Sequence, residues 1–335
     1  MDEVVPFGKS PLRQLKLLWR FRRDRPDLVV VLHVNEEVNP LAYWINRDAV
    51  VPFTNLSERY VFLAAHPVKV RDTQHAVVLP LKVAQYAGGA TVPPRIIYEV
   101  KADELAGIRV RFADWIDHPY VVFQTGGGRA LFWRDWPVEN YVTVTHWFSD
   151  RFAHKVILTG GLENLERANA MERACPEVIN LTGKTTLAET AALLCLAKLL
   201  LTTDTRIMHF GFAVDCPLVC LFHDLCPAKD YCPPGESARD VALQLKRSHP
   251  QQPPSACDMG GISCDEVKRG NSRHARDDRP QTTRSCALRL HHSFVIRHLS
   301  FVIPLAPNAK AIGAREISRP ASALRPDCRE FSVAQ

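Results

Sequence analysis

The chain has 335 residues, 46% hydrophobic and 23% charged, with a formal net charge of +6. That length supplies one large or two ordinary domains, and the apolar fraction is enough for a full core. A run of about 18 apolar residues, which a membrane-spanning helix needs, is absent, and the opening MDEVVPFGKSPLRQ lacks the apolar core of an export signal, so a cytoplasmic location is expected. The charge is unevenly placed. From Gly270 onward there are eleven Lys/Arg against five Asp/Glu, a surplus that equals the whole-chain value. The rest of the chain is therefore balanced, which excludes a nucleic-acid surface on its folded part. Ten cysteines are scattered without a Cys-x-x-Cys pair. That excludes a zinc ribbon or a dithiol redox motif and points to reduced, structural cysteines.

In chain order, residues 10 to 25 (SPLRQLKLLWRFRRDR) read as an amphipathic helix with Leu12, Leu15, Leu18 and Trp19 on one face, ended by Pro26. Asp27 to His33 reads as a buried parallel strand. A helix over Glu36 to Asn46 and a strand near Ala49 to Phe53 follow, then two helical pieces between residues 56 and 87 and a short strand over Arg95 to Val100. From Pro119 the alternation is strict. Strands are expected at Tyr120 to Gln124, Lys155 to Thr159, Val178 to Leu181 and Leu199 to Leu201, with another opened by Pro217. Between them come helices from Pro137 to about Phe152, Glu163 to Cys175 and Leu187 to Lys198, and a short one carrying His209. Thr186 and Glu189 have capping-box spacing. Alternating strands and helices imply a doubly wound parallel sheet, and ligands of such sheets sit beyond the carboxyl ends of the strands. The turns after Gln124, Thr159, Leu181 and Thr203 all fall at that edge. Beyond Arg269 the periodicity stops, and Ser-Phe-Val-Ile recurs at Ser293 and Ser300. Residues 269–335 therefore read as a basic, disordered tail.

The segment Leu199 to Phe222 carries most of the chemical signal. Thr202-Thr203-Asp204-Thr205 follows a strand and opens a helix, and with Asp204 as N-cap, Thr205 and His209 share a face. The positive end of a helix and its free N–H groups favour a phosphate there. The residues alone equally fit an N-cap beside a core histidine. This segment resembles the Asp-Thr-Gly-x-x-His signature of the family 9 glycosyltransferases, the ADP-heptose:lipopolysaccharide heptosyltransferases. Three further stretches resemble that family in order and spacing: Arg134-Asp135-Trp136-Pro137, Leu158-Thr159-Gly160-Gly161, and Asn180 to Leu187 around Gly183-Lys184-Thr185. The likeness spans roughly residues 10 to 268.

The resemblance implies an α/β fold of the GT-B type, with two Rossmann-like doubly wound domains of which the N-terminal one is incomplete. It places an acceptor-side domain at residues 1–104 and a nucleotide-sugar domain at 105–268. It implies inverting transfer of a heptose or related sugar from ADP-heptose, or a similar nucleotide sugar, to a lipopolysaccharide-type glycan. No other cofactor and no metal are implied; the protein would be a monomer in the bacterial cytoplasm, touching the inner membrane at most peripherally. Asp204, Thr205 and His209 would meet the nucleotide diphosphate and Arg134 the donor phosphates. Lys184 and Thr185 would hold ribose or base edges, although capping of the next helix also explains that turn. Thr125 would lie in a glycine-rich loop, Gly126 to Gly128, that either admits phosphate or is plain surface loop. Glu163 would reach a ribose hydroxyl or serve only as a helix N-terminal acid.

Other readings fit less well. A P-loop would need a glycine where Val178 stands, a dehydrogenase or epimerase would need Gly-x-Gly-x-x-Gly after a first strand, and Cys226, Cys232 and His223 lack further partners at ligand spacing. The family's proposed base lies on a Gly-Asp turn, and no Gly-Asp dipeptide occurs in the chain, so no catalytic residue is assigned. The motif glycine is Arg206. A positive φ there would strain the backbone, whereas a helical φ would not. The alternative expectation is thus a truncated, non-enzymatic member of the family with weak or no nucleotide binding.

Overall fold

A computed structural model of the chain describes residues 10–24, 26–30, 38–46, 50–51, 75, 78–86, 89–90, 96, 98–232, 240–247, 249–255 and 258–272. These fall into two compact units, one within 1–73 and 78–92, the other within 74–77 and 93–302.

The first unit contains α1 (Pro11–Arg23), β1 (Val29–Val30), α2 (Val38–Asn46), β2 (Val50–Val51) and α3 (Val78–Tyr86). β1 and β2 pair in parallel, Val29 with Val50 and Val30 with Val51. A helix between two parallel strands is the expected βαβ unit. Arg22 donates to the Trp44 carbonyl at 2.8 Å and Asn46 to that of Pro26 at 2.7 Å, which fixes α2 against the end of α1. The earlier of the two helical pieces expected between residues 56 and 87 lies outside the described residues.

The second unit is built on six parallel strands. Its elements are α4 (Ala102–Arg111), β3 (Tyr120–Gln124), α5 (Val138–Phe152), β4 (Lys155–Thr159), α6 (Leu165–Ala174), β5 (Ile179–Asn180), α7 (Leu187–Leu196), β6 (Leu199–Thr203), α8 (Arg206–Ala213), β7 (Leu218–Phe222), α9 (Ala228–Tyr231), β8 (Asp240–Gln244) and α10 (Cys264–Ser272). The spatial order is β5-β4-β3-β6-β7-β8. Chain order runs outward from β3 in one direction and then resumes from β6 in the other, so the topology switches between these two neighbours.

β3, β6 and β7 are buried along their whole length, as strands covered on both faces must be. The period of two sorts their side chains. Tyr120, Val122, Leu200, Leu218, Cys220 and Phe222 join one core with α4, α7 and α8. Val121, Phe123, Leu199, Leu201, Val219 and Leu221 join the other with α5, α6 and α10. Each such side chain contributes about 1.5–3 kcal/mol by leaving water. Buried polar atoms lock the layers together: Tyr141 on α5 donates to the Gln124 carbonyl at 2.9 Å, and Tyr120 on β3 donates to that of Leu193 on α7 at 2.6 Å.

Four differences from the sequence reading have local causes. Residues 98–100 form no strand; the Tyr98 N–H bonds the Ala213 carbonyl at 3.2 Å, so this stretch follows α8 instead of a sheet neighbour. The helix expected from Glu163 begins as a 3₁₀ turn at Leu162–Asn164 and becomes α-helical at Leu165. β8 and α10 are absent from the sequence reading, because Asp240 to Gln244 holds only a short apolar run and Cys264 to Ser272 is mostly polar. α10 includes residue 268, near which the folded part was expected to end, and buries Gly270 and Asn271. The expected tail from residue 273 on lies outside the described residues.

Replacing Tyr141 by Phe removes the only hydroxyl that reaches the Gln124 carbonyl from α5. Chemical denaturation should show a loss of about 1–3 kcal/mol with unchanged secondary structure. A variant as stable as the parent would show that this bond does not tie α5 to the end of β3.

Candidate functional site

The carboxyl ends of β3 and β6 stand side by side, with Phe123 in register with Leu201. The chain leaving β3 turns toward α5 on one face, and the chain leaving β6 turns toward α8 on the other. The two connections diverge and leave a crevice between them.

One ion pair bridges it. Arg134 donates through Nη1 to Asp204 Oδ2 at 2.8 Å and to the Asp204 carbonyl at 3.2 Å. Its Nη2 donates to Cys226 Sγ at 2.9 Å, and its guanidinium lies 4.7 Å from the centre of the Trp133 ring. The side chains of Arg134 and Asp204 are only 17% and 8% exposed. Burial pushes the Asp204 carboxyl above its ordinary range, and the Arg134 charge opposes that shift. Burial likewise raises the Cys226 thiol, so it sits beside the pair as a neutral group. Arg134 Nε is buried and makes no hydrogen bond among the described residues.

The connection that carries Arg134 is itself held. Asp135 accepts the Gly127 N–H at 2.7 Å, and Arg167 on α6 donates to the Thr125 carbonyl at 2.8 Å and to the Trp136 carbonyl. Arg167 also lies 3.6 Å from Asp135, whose pKa burial raises and the Gly127 N–H and Arg167 lower. Two glycines make this possible. A Cβ at Gly126 would stand 2.8 Å from Asp135 Oδ1, and Gly128 has φ of +85°, a conformation L side chains rarely adopt. The expected glycine-rich loop is thus a fixed turn in front of the 3₁₀ helix Arg129–Arg134.

Across the crevice, the N-cap of α8 is Thr205 and not Asp204, because Asp204 turns its carboxylate to Arg134. Thr205 Oγ1 lies 3.2 Å from Thr202 Oγ1. Arg206 opens α8 with its side chain exposed and is not among the positive-φ residues, so the replacement of the motif glycine carries no backbone strain. His209 sits four residues after the cap, with Nδ1 buried and without a partner among the described residues. Burial, then the charge on His75, lowers its pKa to about 4, so it is neutral at physiological pH.

Lys184 and Thr185 belong to the turn after β5, at the far end of the sheet from β6. Lys184 Nζ donates to the Asn180 carbonyl at 2.8 Å, and Thr185 shares a hydrogen bond of 2.9 Å with Thr190 on α7. Thr186 and Glu189 form the expected capping box. This turn is engaged with itself and with α7, while Thr125 and Arg134 lie on the connection that leaves β3, Asp204 and Thr205 on the one that leaves β6, and His209 on α8. Glu163 is exposed, and its side chain closes over Gly161 and Gly128, at the rim of the same edge.

Unpaired polar atoms concentrate here. Of twelve buried side-chain N and O atoms without a partner among the described residues, eight lie along the carboxyl edge: on Gln124, Thr125, Arg134, Thr159, Asn164, Thr182, Thr203 and His209. Each such atom is worth about 1–3 kcal/mol of lost stability unless it is satisfied, so this edge is built to receive polar partners. Periodicity locates the edge but does not foresee Gln124, Asn164, Cys226 or Arg167 in it, since their roles depend on contacts distant in sequence. Trp133 packs edge-on against His223, ring centres 4.7 Å apart. His223 lies between Asp224 and Asp258, at 2.8 and 3.3 Å, with Arg247 bonded to Asp224 at 2.8 Å.

The sequence profile of "Glycosyltransferase family 9 (heptosyltransferase)" matches residues 35–257. A comparison with curated proteins finds no match. Among solved structures, a family 9 glycosyl transferase from Veillonella parvula is similar with a TM-score of 0.64 and 20% identity, covering 81% of each chain. ADP-heptose lps heptosyltransferase II of E. coli gives 0.62 and 18%, covering 78% of this chain and 80% of its own. E. coli heptosyltransferase WaaC with ADP-2-deoxy-2-fluoro heptose gives 0.55 and 16%, covering 79% and 78%. At these identities the likeness speaks to fold, and the fold is α/β of the GT-B type.

The His209 environment has a measurable consequence. Its folded pKa lies below that of the unfolded chain, so the unfolded state takes up the proton first. The stability held by neutral His209 is complete above about pH 6.5 and is lost as pH falls toward 4, by at most about 3 kcal/mol. Thermal unfolding followed across that range should be steeper in pH for the parent than for His209→Gln. Identical pH profiles would show that His209 titrates as it does in the unfolded chain.

Proposed function

Because the chain belongs to glycosyltransferase family 9, we propose that it transfers a heptose or related sugar from ADP-heptose, or a similar nucleotide diphosphate donor, to a lipopolysaccharide-type glycan with inversion at the anomeric carbon. The observation that carries this reading is the buried Arg134–Asp204 pair at the β3/β6 switch, next to the capped start of α8 and ringed by unpaired polar atoms. In this reading the protein works as a monomer in a bacterial cytoplasm, touching the inner face of the cytoplasmic membrane peripherally. No described helix is long and apolar enough to cross a membrane.

The donor half of the mechanism follows from the residues. Breaking the anomeric C–O bond leaves negative charge on a diphosphate. Arg134, held by Asp204, presents fixed positive charge with an unused Nε, and Thr205 offers its N–H and hydroxyl at the positive end of α8. Asp204 is committed to Arg134, so its role toward the phosphates is to orient that cation. Neutral His209 supplies a hydrogen bond without a second full charge. Thr125, which follows β3, and Lys184 and Thr185, which follow the outer strand β5, complete the donor set in this reading, the last two toward ribose or base. The donor needs no further cofactor in this reading. Preorganised groups of this kind are worth about 10²–10³ in kcat each.

A second reading, donor binding without transfer, rests on the absence of a Gly-Asp dipeptide from the chain. Without a base, deprotonation of the sugar hydroxyl loses a factor of about 10²–10⁴. The deciding assay mixes the full chain with ADP-heptose and heptose-free lipopolysaccharide and follows ADP release and acceptor mass. The proposed function predicts acceptor-dependent release of ADP with addition of one heptose. Saturable ADP binding without release would select the second reading. Failure to bind ADP at all, by a folded protein, would overturn both.

A further inference from the structure

Away from the donor site, three side chains with metal-binding atoms meet at the opposite edge of the same sheet. His146 projects from α5, Cys175 caps the C-terminus of α6, and Glu177 stands in the turn that enters β5. His146 Nε2 lies 3.4 Å from Cys175 Sγ and 3.8 Å from Glu177 Oε1, and all three ligand atoms fall within 4.8 Å of one another. Among the described residues no other group of three His, Cys, Asp or Glu side chains converges in this way. We propose that His146, Cys175 and Glu177 form a binding site for a divalent transition-metal ion of the zinc class, which clamps α5 to the turn between α6 and β5.

The distances suit such an ion. With metal–nitrogen and metal–oxygen bonds of about 2.0–2.2 Å and a metal–sulfur bond of about 2.3 Å, a tetrahedral centre separates its ligand atoms by about 3.3–3.6 Å. The His146–Cys175 separation is already there, and Glu177, in a half-exposed turn, closes on the ion from 3.8 Å to His146 and from within 4.8 Å of Cys175. The donor types agree as well. One imidazole, one thiolate and one carboxylate select zinc, cobalt or nickel over magnesium or calcium, which take oxygen only. The thiolate and the carboxylate together balance a divalent charge, and the fourth position is open to water.

The architecture explains why the three converge. α5 turns Tyr141, Val144, Thr145 and Phe148 into the core, which leaves His146 at the border of that face, 54% exposed. Cys175 is fully buried at the end of α6, with its sulfur against the His146 ring, and the half-exposed Glu177 carboxylate lies 3.8 Å from the same ring nitrogen. The Cys175 thiol gives up its proton to solvent as the metal–sulfur bond forms. The site is remote from the donor crevice: Cys175 and Glu177 precede β5 at the amino edge, while Arg134 and Asp204 stand beyond the carboxyl edge. Its effect is on stability and not on the transferred group.

Cobalt reports the site directly. The full, reduced chain titrated with Co²⁺ should develop thiolate-to-cobalt charge transfer in the near ultraviolet and the visible bands of a four-coordinate ion. Saturation is expected near one equivalent, with loss of the signal on adding Zn²⁺. Cys175→Ser should abolish the charge-transfer band. His146→Gln and Glu177→Gln, at exposed positions, should each weaken binding about tenfold or more while leaving the fold intact by circular dichroism. Zn²⁺ should raise the unfolding temperature of the parent but not of Cys175→Ser. Absence of the band in the parent, a band unchanged in folded Cys175→Ser, or full affinity in both exposed variants would overturn the proposal and leave a thiol hydrogen-bonded to an imidazole.

Discussion

The architecture of the second unit depends on one constraint: β3 and β6 are neighbours, yet the helices that follow them pack on opposite faces of the sheet. α5 buries Tyr141 and Phe148 against Phe123, while α8 buries Ile207 and Met208 on the side of Leu200. The connections must part, and the backbone groups at their ends cannot satisfy one another across the gap. The chain bridges it with a buried ion pair, Arg134 to Asp204. Such a pair is a poor stabiliser, because desolvation consumes much of its Coulomb energy, and apolar residues of similar size would hold the loops as well. What it provides is position: a guanidinium fixed by a carboxylate, a carbonyl and a sulfur, with its Nε–H unused among the described residues.

That geometry also reassigns roles among the residues that meet there. Asp204 is the anchor of Arg134, Thr205 caps α8, and Arg206 adopts an ordinary helical conformation. The substitution of the motif glycine is therefore compatible with the turn. Asp135 and Arg167 hold the Arg134 connection from behind, so a change at Arg167 would be felt at the crevice although its side chain bonds only backbone carbonyls and lies beside Asp135.

Much of this was legible before the structure. β3 and β4 fall where periodicity puts them, since continuous apolar runs bounded by polar turns have few alternatives. The capping box at Thr186 and Glu189 follows from spacing alone. The carboxyl edge was legible because the apolar runs of β3, β4, β5 and β6 close on Gln124, Thr159, Asn180 and Thr203. Three things were not. The N-cap of α8 shifted by one residue because a distant arginine competes for Asp204. β8 escaped notice because Asp240-Val-Ala-Leu-Gln244 has too short an apolar run to stand out from loop. His146, Cys175 and Glu177 were invisible because the first is separated from the others by all of β4 and α6, and only the packing of α5 brings them together.

The central claim is that the Arg134–Asp204 pair receives the donor diphosphate, and ADP and AMP titrations by calorimetry test it most directly. The paired variant Arg134→Gln with Asp204→Asn removes both charges and keeps a neutral hydrogen bond, so no buried charge is stranded. The parent should bind ADP about tenfold or more tightly than AMP, and the folded paired variant should lose that preference while binding AMP nearly as before. An undiminished ADP preference in the folded variant would contradict the account and place the diphosphate elsewhere.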